Sequence, residues 1–184
     1  MGSVIDRLGR DHRNMRVVLE LLEESLGAHA WGEPADLELL GLIAEYMLDY
    51  PDRVHHPLEE LLHERLAERD PAAAEALGGL VEEHARLAQL NRRLAAALDG
   101  LGHDAELPRD WLAELVQQVL SANRQHMQAE ERTLFPRLLA RLGDADWAAI
   151  EARAGRVDDP VFGERRAAPY LVLHERILRM RVAG

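Results

Sequence analysis

Residues 112–138 read LAELVQQVLSANRQHMQAEERTLFPRL. Leu112, Leu115, Val119, Ala122, His126, Glu130, Leu134 and Leu138 recur at steps of three and four, which is one face of a helix. The stripe is apolar except at its centre, where an imidazole and a carboxylate stand four residues apart. That spacing brings both side chains to one face, one turn apart. An ionised carboxylate on a core-facing stripe is costly unless a cation compensates it. The segment therefore predicts a helix from about Pro108 to Gly143 with a polar pair turned inward.

The same pattern recurs upstream. Ile5, Leu8, His12, Met15, Leu19, Leu22 and Leu26 form one face of a first helix, with Ser3 as its expected N-cap and Gly27 as its expected stop. A loop with Gly32 and Pro34 leads to a second helix near Asp36. Its face runs Leu37, Leu40, Ala44, Met47 or Leu48, His55, Glu59, Leu62 and Leu66. Pro51 and Pro57 predict a kink or break near Tyr50, because proline removes a donor and crowds the preceding turn. Asp70-Pro71 is expected to open the third helix, whose face is Leu77, Leu80, His84, Leu87, Asn91, Leu94 and Leu98. Gly100, Gly102 and Pro108 mark the next loop. Four amphipathic helices with short connections predict an all-α, antiparallel up-down-up-down four-helix bundle over residues 1–143. Residues 144–184 read as a C-terminal helical extension, two shorter helices around the turn Asp158-Asp159-Pro160-Val161-Phe162-Gly163. This Leu-rich extension could cap the bundle or make a homodimer contact.

Composition narrows the chemistry. The chain has 184 residues and a formal net charge of −11, so there is no basic surplus for nucleic acid. There is no Cys, which excludes disulfides, thiolate catalysis, iron–sulfur clusters and Cys-based zinc sites. All 22 basic residues are Arg, which removes Schiff-base chemistry and a Walker-type phosphate loop. No stretch is apolar enough to span a membrane, and Met1–Arg10 lacks the apolar run of a signal peptide, so the cytoplasm is the expected location.

Nine His remain, and four of them define the site. His12, His55, His84 and His126 each lie on the apolar stripe of a different helix. Glu59 and Glu130 follow His55 and His126 by four residues. At roughly 1.5 Å per residue, the distances from these His to their helix ends agree within about 8 Å, so an antiparallel bundle brings all four near one level. Imidazole with carboxylate is a ligand set for iron, manganese or zinc. Zinc prefers four ligands, whereas six convergent groups suggest two metals. His56 and Glu60 repeat the spacing one residue out of phase, beside the more polar His63 and Ala67; His56 is kept as an additional or supporting ligand. His63, His103 and His174 read as solvated or structural. His29 and Glu33 fall in a loop and are discounted. Tyr46 and Tyr50 read as packing residues. Ferritin-type sites use two Glu-x-x-His motifs, but only Glu60–His63 has that spacing here.

Four segments in order resemble the hemerythrin-like (HHE cation-binding) family. They are Asp11-His12-Arg13-Asn14, Val54-His55-His56-Pro57-Leu58-Glu59-Glu60, Glu83-His84-Ala85-Arg86-Leu87 and residues 126–136. The Asp159-Pro160-Val161-Phe162-Gly163 segment is similar to tails on some bacterial relatives. The resemblance implies two iron ions, a non-haem di-iron centre with an oxo or hydroxo bridge. His12, His55, His84 and His126 would be terminal ligands, and Glu59 and Glu130 would bridge. Oxygen carriers of the family have a second His one turn after the third-helix His, where this chain has Ala88. Their last carboxylate is an Asp five residues after its His; here Glu130 stands at four and Glu131 at five. One imidazole fewer leaves room for solvent or His56, and favours reaction over reversible oxygen carriage. The expected function is binding or sensing of O2 or a related small redox ligand. The alternatives are a di-iron enzyme acting on peroxide or nitric oxide, an iron donor or storage protein, and a mononuclear or zinc-bound structural protein.

Overall fold

The computed structural model describes residues 2–30, 36–103, 106–155 and 157–183; Gly32, Glu33 and Pro34 of the first loop lie outside them. Among the described residues the regular structure is entirely helical. Helix α1 spans Gly2–Ala30 and α2 spans Leu37–Tyr50. They are followed by α3 (His56–Arg69), α4 (Pro71–Glu75), α5 (Leu80–Gly102) and α6 (Arg109–Ala129). The chain ends with α7 (Phe135–Arg141), α8 (Asp144–Ala154) and α9 (Leu171–Ala183). Contacts join α1 to α2, α2 to α5, α5 to α6 and α6 back to α1, so the long helices form a bundle.

Local chemistry sets most boundaries. The Asp36 side chain accepts the Leu39 N–H at 3.1 Å, and Asp70 accepts that of Ala73 at 3.0 Å. Each satisfies one of the N–H groups that a helix start leaves open. Two expectations fail. Helix α1 runs through both Ser3 and Gly27, so neither is a terminus. An isolated glycine lowers helix stability by only about 1 kcal/mol, too little to end a long amphipathic helix. A helix does open at Pro71, as expected, but it is not the long helix that carries His84. A short α4 is followed by a turn, and Gly79, with φ +91°, precedes Leu80. That left-handed backbone suits glycine and resets the chain direction before α5. Leu77 therefore sits in the turn, not on the α5 stripe.

Near Tyr50, where a kink or break is expected, regular α-helix stops and a helical distortion takes its place. A π-helical turn, Pro51–His55, joins α2 to α3, and the His56 N–H reaches the Pro51 carbonyl five residues back. A second π turn, Glu130–Leu134, joins α6 to α7 in the same way, from the Phe135 N–H to the Glu130 carbonyl. A proline, Pro57 or Pro136, follows each turn by two residues. Proline has no N–H and its ring crowds the carbonyl four residues back. A widened turn relieves both problems while the helical path continues, and such bulges concentrate at functional sites.

Two apolar clusters fill the interior. One gathers Met15, Leu19, Leu40, Met47, Val119 and their neighbours; the other gathers Val4, Leu8, Leu62, Leu134, Leu138 and theirs. The extension contributes to both: Val161, Tyr170, Leu173 and Ile177 join the first, and Trp147 and Ile150 the second. Along α1 the boundary between the clusters falls at His12. It falls at His55–Glu59 on the second rod and at His126–Glu130 on the last. No helix among the described residues is long and apolar enough to cross a membrane.

Candidate metal centre

The layer between the clusters is polar and closed to solvent. His12, His55, His56, Glu59, His84, His126 and Glu130 are all buried. Helix α1 carries His12, the first π turn ends at His55, and α3 opens with His56 and places Glu59 one turn on. Helix α5 carries His84, α6 carries His126, and the second π turn opens with Glu130.

The ligand-type atoms fall into two groups, each with its atoms within 4.8 Å of one another. One group is His12, His55, Glu59 and Glu130; the other is His56, His84, His126 and Glu59. Glu59 belongs to both. Its Oε1 lies 2.9 Å from His55 Nε2 and 3.5 Å from His12 Nε2, while Oε2 lies 3.5 Å from His84 Nε2. Glu130 is split likewise: Oε2 is 3.3 Å from His12 Nε2, and Oε1 is 3.4 Å from His126 Nε2 and 3.9 Å from His84 Nε2.

These approaches leave the inner atoms unsatisfied. Both oxygens of Glu59, both of Glu130, and Nε2 of His84 and of His126 are buried without a hydrogen bond. Buried polar atoms are nearly always partnered. Six orphaned atoms around one small volume are what a cation would satisfy. His12 and His55 add to this, since their Nε2 atoms stand 3.0 Å apart. Two imidazole lone pairs at that separation require a proton or a metal between them.

The outer ring nitrogens face carboxylates. His12 Nδ1 is 3.0 Å from Glu131, itself held by Arg16 at 2.8 Å. His55 Nδ1 is 3.3 Å from Asp11, which also accepts the Tyr50 hydroxyl at 3.1 Å. His56 Nδ1 lies 3.2 Å from Asp52 and His84 Nδ1 3.1 Å from Glu60. His126 Nδ1 faces Glu83 at 3.7 Å. A proton held on Nδ1 by a carboxylate leaves Nε2 free to ligate and fixes the ring. The rings also pack on one another and on Phe135: His56 stacks on His84 at 4.0 Å, and Phe135 on His12 at 5.4 Å.

The charge balance agrees. Burial alone would lower the His55 and His84 pKa values, but the surrounding carboxylates outweigh it. Glu59 and Asp11 raise His55 to about 10, and Glu130, Glu59 and Glu60 raise His84 to about 10. Glu59 is held well below the ordinary carboxylate range: its burial is outweighed by His55, His12 and His84. The pocket's own groups thus seek positive charge. His56 moves the other way, lowered by burial, which keeps its imidazole neutral.

All six residues expected from the sequence converge here, and His56 joins them. Its place was obscured by phase, because neighbouring residues on a regular helix diverge by about 100°. The π turn just before it changes that phase. Asp11, Glu60, Glu83 and Glu131 each precede or follow a candidate ligand in sequence, which was the only available hint of their role. Tyr50 is more than packing, since its hydroxyl holds Asp11. His63, by contrast, is 3.1 Å from the Ala74 carbonyl, and His103 is 2.9 Å from that of Asp99. Neither His63, His103 nor His174 enters either group.

A helical bundle with a buried His/Glu layer has the geometry to hold metal ions. The hemerythrin HHE cation-binding domain matches residues 3–138, and the chain belongs to that family. Comparison with curated proteins and with solved structures finds no match.

Proposed function

We propose that the chain is a non-haem di-iron protein that binds or senses O2 or a related small redox ligand such as nitric oxide or peroxide. In this reading residues 1–143 form an antiparallel up-down-up-down four-helix bundle and residues 144–184 an extension packed on it. The protein works in the cytoplasm, as a monomer or a homodimer, without nucleic acid or membrane. The observation that carries the reading is the division of Glu59 and Glu130, each of which turns one oxygen toward His12 and the other toward the His84–His126 side. Two carboxylates that straddle two imidazole groups suit a pair of ions better than one.

Iron bound there would supply the electrons exchanged with the ligand, and the chain's residues would set the conditions. His12 and His55, with Glu59 and Glu130, would hold one ion; His56, His84 and His126, with the same carboxylates, the other. Carboxylates at Nδ1 hold the rings of His12, His55, His56 and His84 in place. The two apolar clusters exclude bulk water on either side, which strengthens every charge interaction between them. The groups are unequal, with two imidazoles against three. The His12–His55 side has one imidazole fewer, so an external ligand would bind there. The inequality also supports a second reading, in which the same centre turns over peroxide or nitric oxide; iron donation or storage is a further use of the same ligands.

Elemental analysis after anaerobic reconstitution with ferrous iron tests the reading, with absorption spectra before and after air. Two irons per chain and a new near-ultraviolet band on oxidation are expected. One metal or none, with no band, would overturn it.

A further inference from the structure

Asp159, in the extension, is a buried carboxylate that the metal centre does not use directly. Its Oδ1 accepts the backbone N–H groups of Val161 and Phe162 at 2.8 and 3.0 Å. Its Oδ2 accepts the Tyr46 hydroxyl at 3.0 Å and the Asn14 amide at 3.1 Å. The side chain therefore ties α1, through Asn14, to α2, through Tyr46. One helical turn away the same two helices are tied again, because Tyr50 of α2 donates to Asp11 of α1. Asp11 is also the carboxylate that faces His55 Nδ1. The two ties are coupled through the tyrosines, whose rings stack at 5.7 Å with an interplanar angle of 8°. Phe162 and Tyr170 of the extension close on Tyr46 edge-on, each at 6.3 Å.

We infer that the extension is a working part of the metal centre, and that Asp159 is a positioning residue that sets His55 through Tyr46, Tyr50 and Asp11. The path is physical at each step. Asp159 fixes the Tyr46 hydroxyl, and Tyr46 fixes the plane of Tyr50. The Tyr50 hydroxyl then fixes Asp11, and Asp11 fixes the ring of His55. An apolar cap would need only Val161, Leu173 and Ile177 in the core. A carboxylate that carries four hydrogen bonds inside it, two of them to the helices bearing His12 and leading to His55, has another use.

This inference rests on the metal-centre reading, and cobalt(II) titration of the full chain separates the two. Cobalt binding is followed by visible absorption and by competition with a chelator, for wild type and the variants Asp159→Ala, Tyr46→Phe, Val161→Ala and His56→Ala. Tyr46→Phe deletes one hydroxyl and decides the matter should Asp159→Ala fail to fold. Val161→Ala loosens the packing of the extension but keeps every hydrogen bond of Asp159. The expected result is a loss of about tenfold in affinity at one of two positions for Asp159→Ala and Tyr46→Phe, the scale of lost support for a metal-bound His. That position should be the one left intact by His56→Ala, and its absorption band should shift, while Val161→Ala binds as wild type does. Two ions bound by Asp159→Ala and Tyr46→Phe with wild-type affinity and spectrum would overturn the inference alone, as would an equal loss in Val161→Ala. A wild-type chain that takes up no cobalt would overturn the metal-centre reading, and this inference with it.

Discussion

Glu59 places one carboxylate oxygen 2.9 Å from His55 Nε2 and the other 3.5 Å from His84 Nε2, so a single side chain borders both candidate metal positions. Its substitution should differ from that of any His. Glu59→Gln keeps the shape and removes the charge, and both positions should weaken, with metal content falling well below that of His56→Ala. The loss in affinity is expected at about 10- to 100-fold or more, since a side chain that borders both positions should matter at least as much as a carboxylate that supports one of them. Metal analysis checks this, with His103→Ala, an exposed residue outside both groups, as the unaffected control. Equal metal in Glu59→Gln and His103→Ala would remove Glu59 from the ligand set.

His56→Ala should weaken one position only. The His12–His55 group keeps all its members, so one ion should still bind with near-wild-type affinity. Stoichiometry by elemental analysis distinguishes this from loss of both ions or of neither. Two tightly held ions would show that His56 serves only as packing against His84.

The metal-free protein should lose stability as the pH rises from about neutral. His55 and His84 have pKa values raised from 6.5 to about 10, so their protonated forms favour folding. That contribution is complete below about pH 6.5, where the unfolded His is also protonated, and it is lost as the pH climbs through about 10. Glu59 has the opposite sign. Its depressed pKa contributes stability above the ordinary carboxylate value of 4.5, lost as the pH falls through the folded value. Bound metal replaces the protons on the imidazoles, so it should flatten the alkaline decline and its uptake should release protons. Thermal melts from pH 6 to 10, with chelator and with metal, test this; parallel curves would contradict it.

Gly163→Ala should destabilise the fold. A Cβ there would lie 2.4 Å from Asp158 Oδ1 and 2.5 Å from the Asp159 carbonyl oxygen. The Asp158 side chain can move, but the carbonyl belongs to the turn that the Gly163 N–H closes at 2.8 Å. Overpacking of this kind costs about 1–3 kcal/mol. Denaturant unfolding measures it, and an unchanged midpoint would show that the turn yields freely.

Much of this was legible in one dimension. Periodicity showed which side of each helix faces inward, because only a continuous apolar stripe can be buried. The fourfold spacing then put Glu59 beside His55 and Glu130 beside His126. Residues without such a local signature mislead. Ser3 and Gly27 look like termini, yet packing along the whole of α1 overrides a weak local preference. Pro51 and Pro57 point to a kink or break near Tyr50, and a π turn distorts the helix there without interrupting it.

The sequence by itself thus determined that the chain is helical and that six inward His and Glu residues share a layer, because both follow from the repeat of the helix. The tertiary structure decided the rest. It brought His56 into phase through a π turn, aimed each Nδ1 at a carboxylate on another turn or helix, and set Asp159 between Asn14 and Tyr46. Those pairs lie 145 and 113 residues apart in the chain. No helical period links positions so distant; only packing of the extension onto the bundle does.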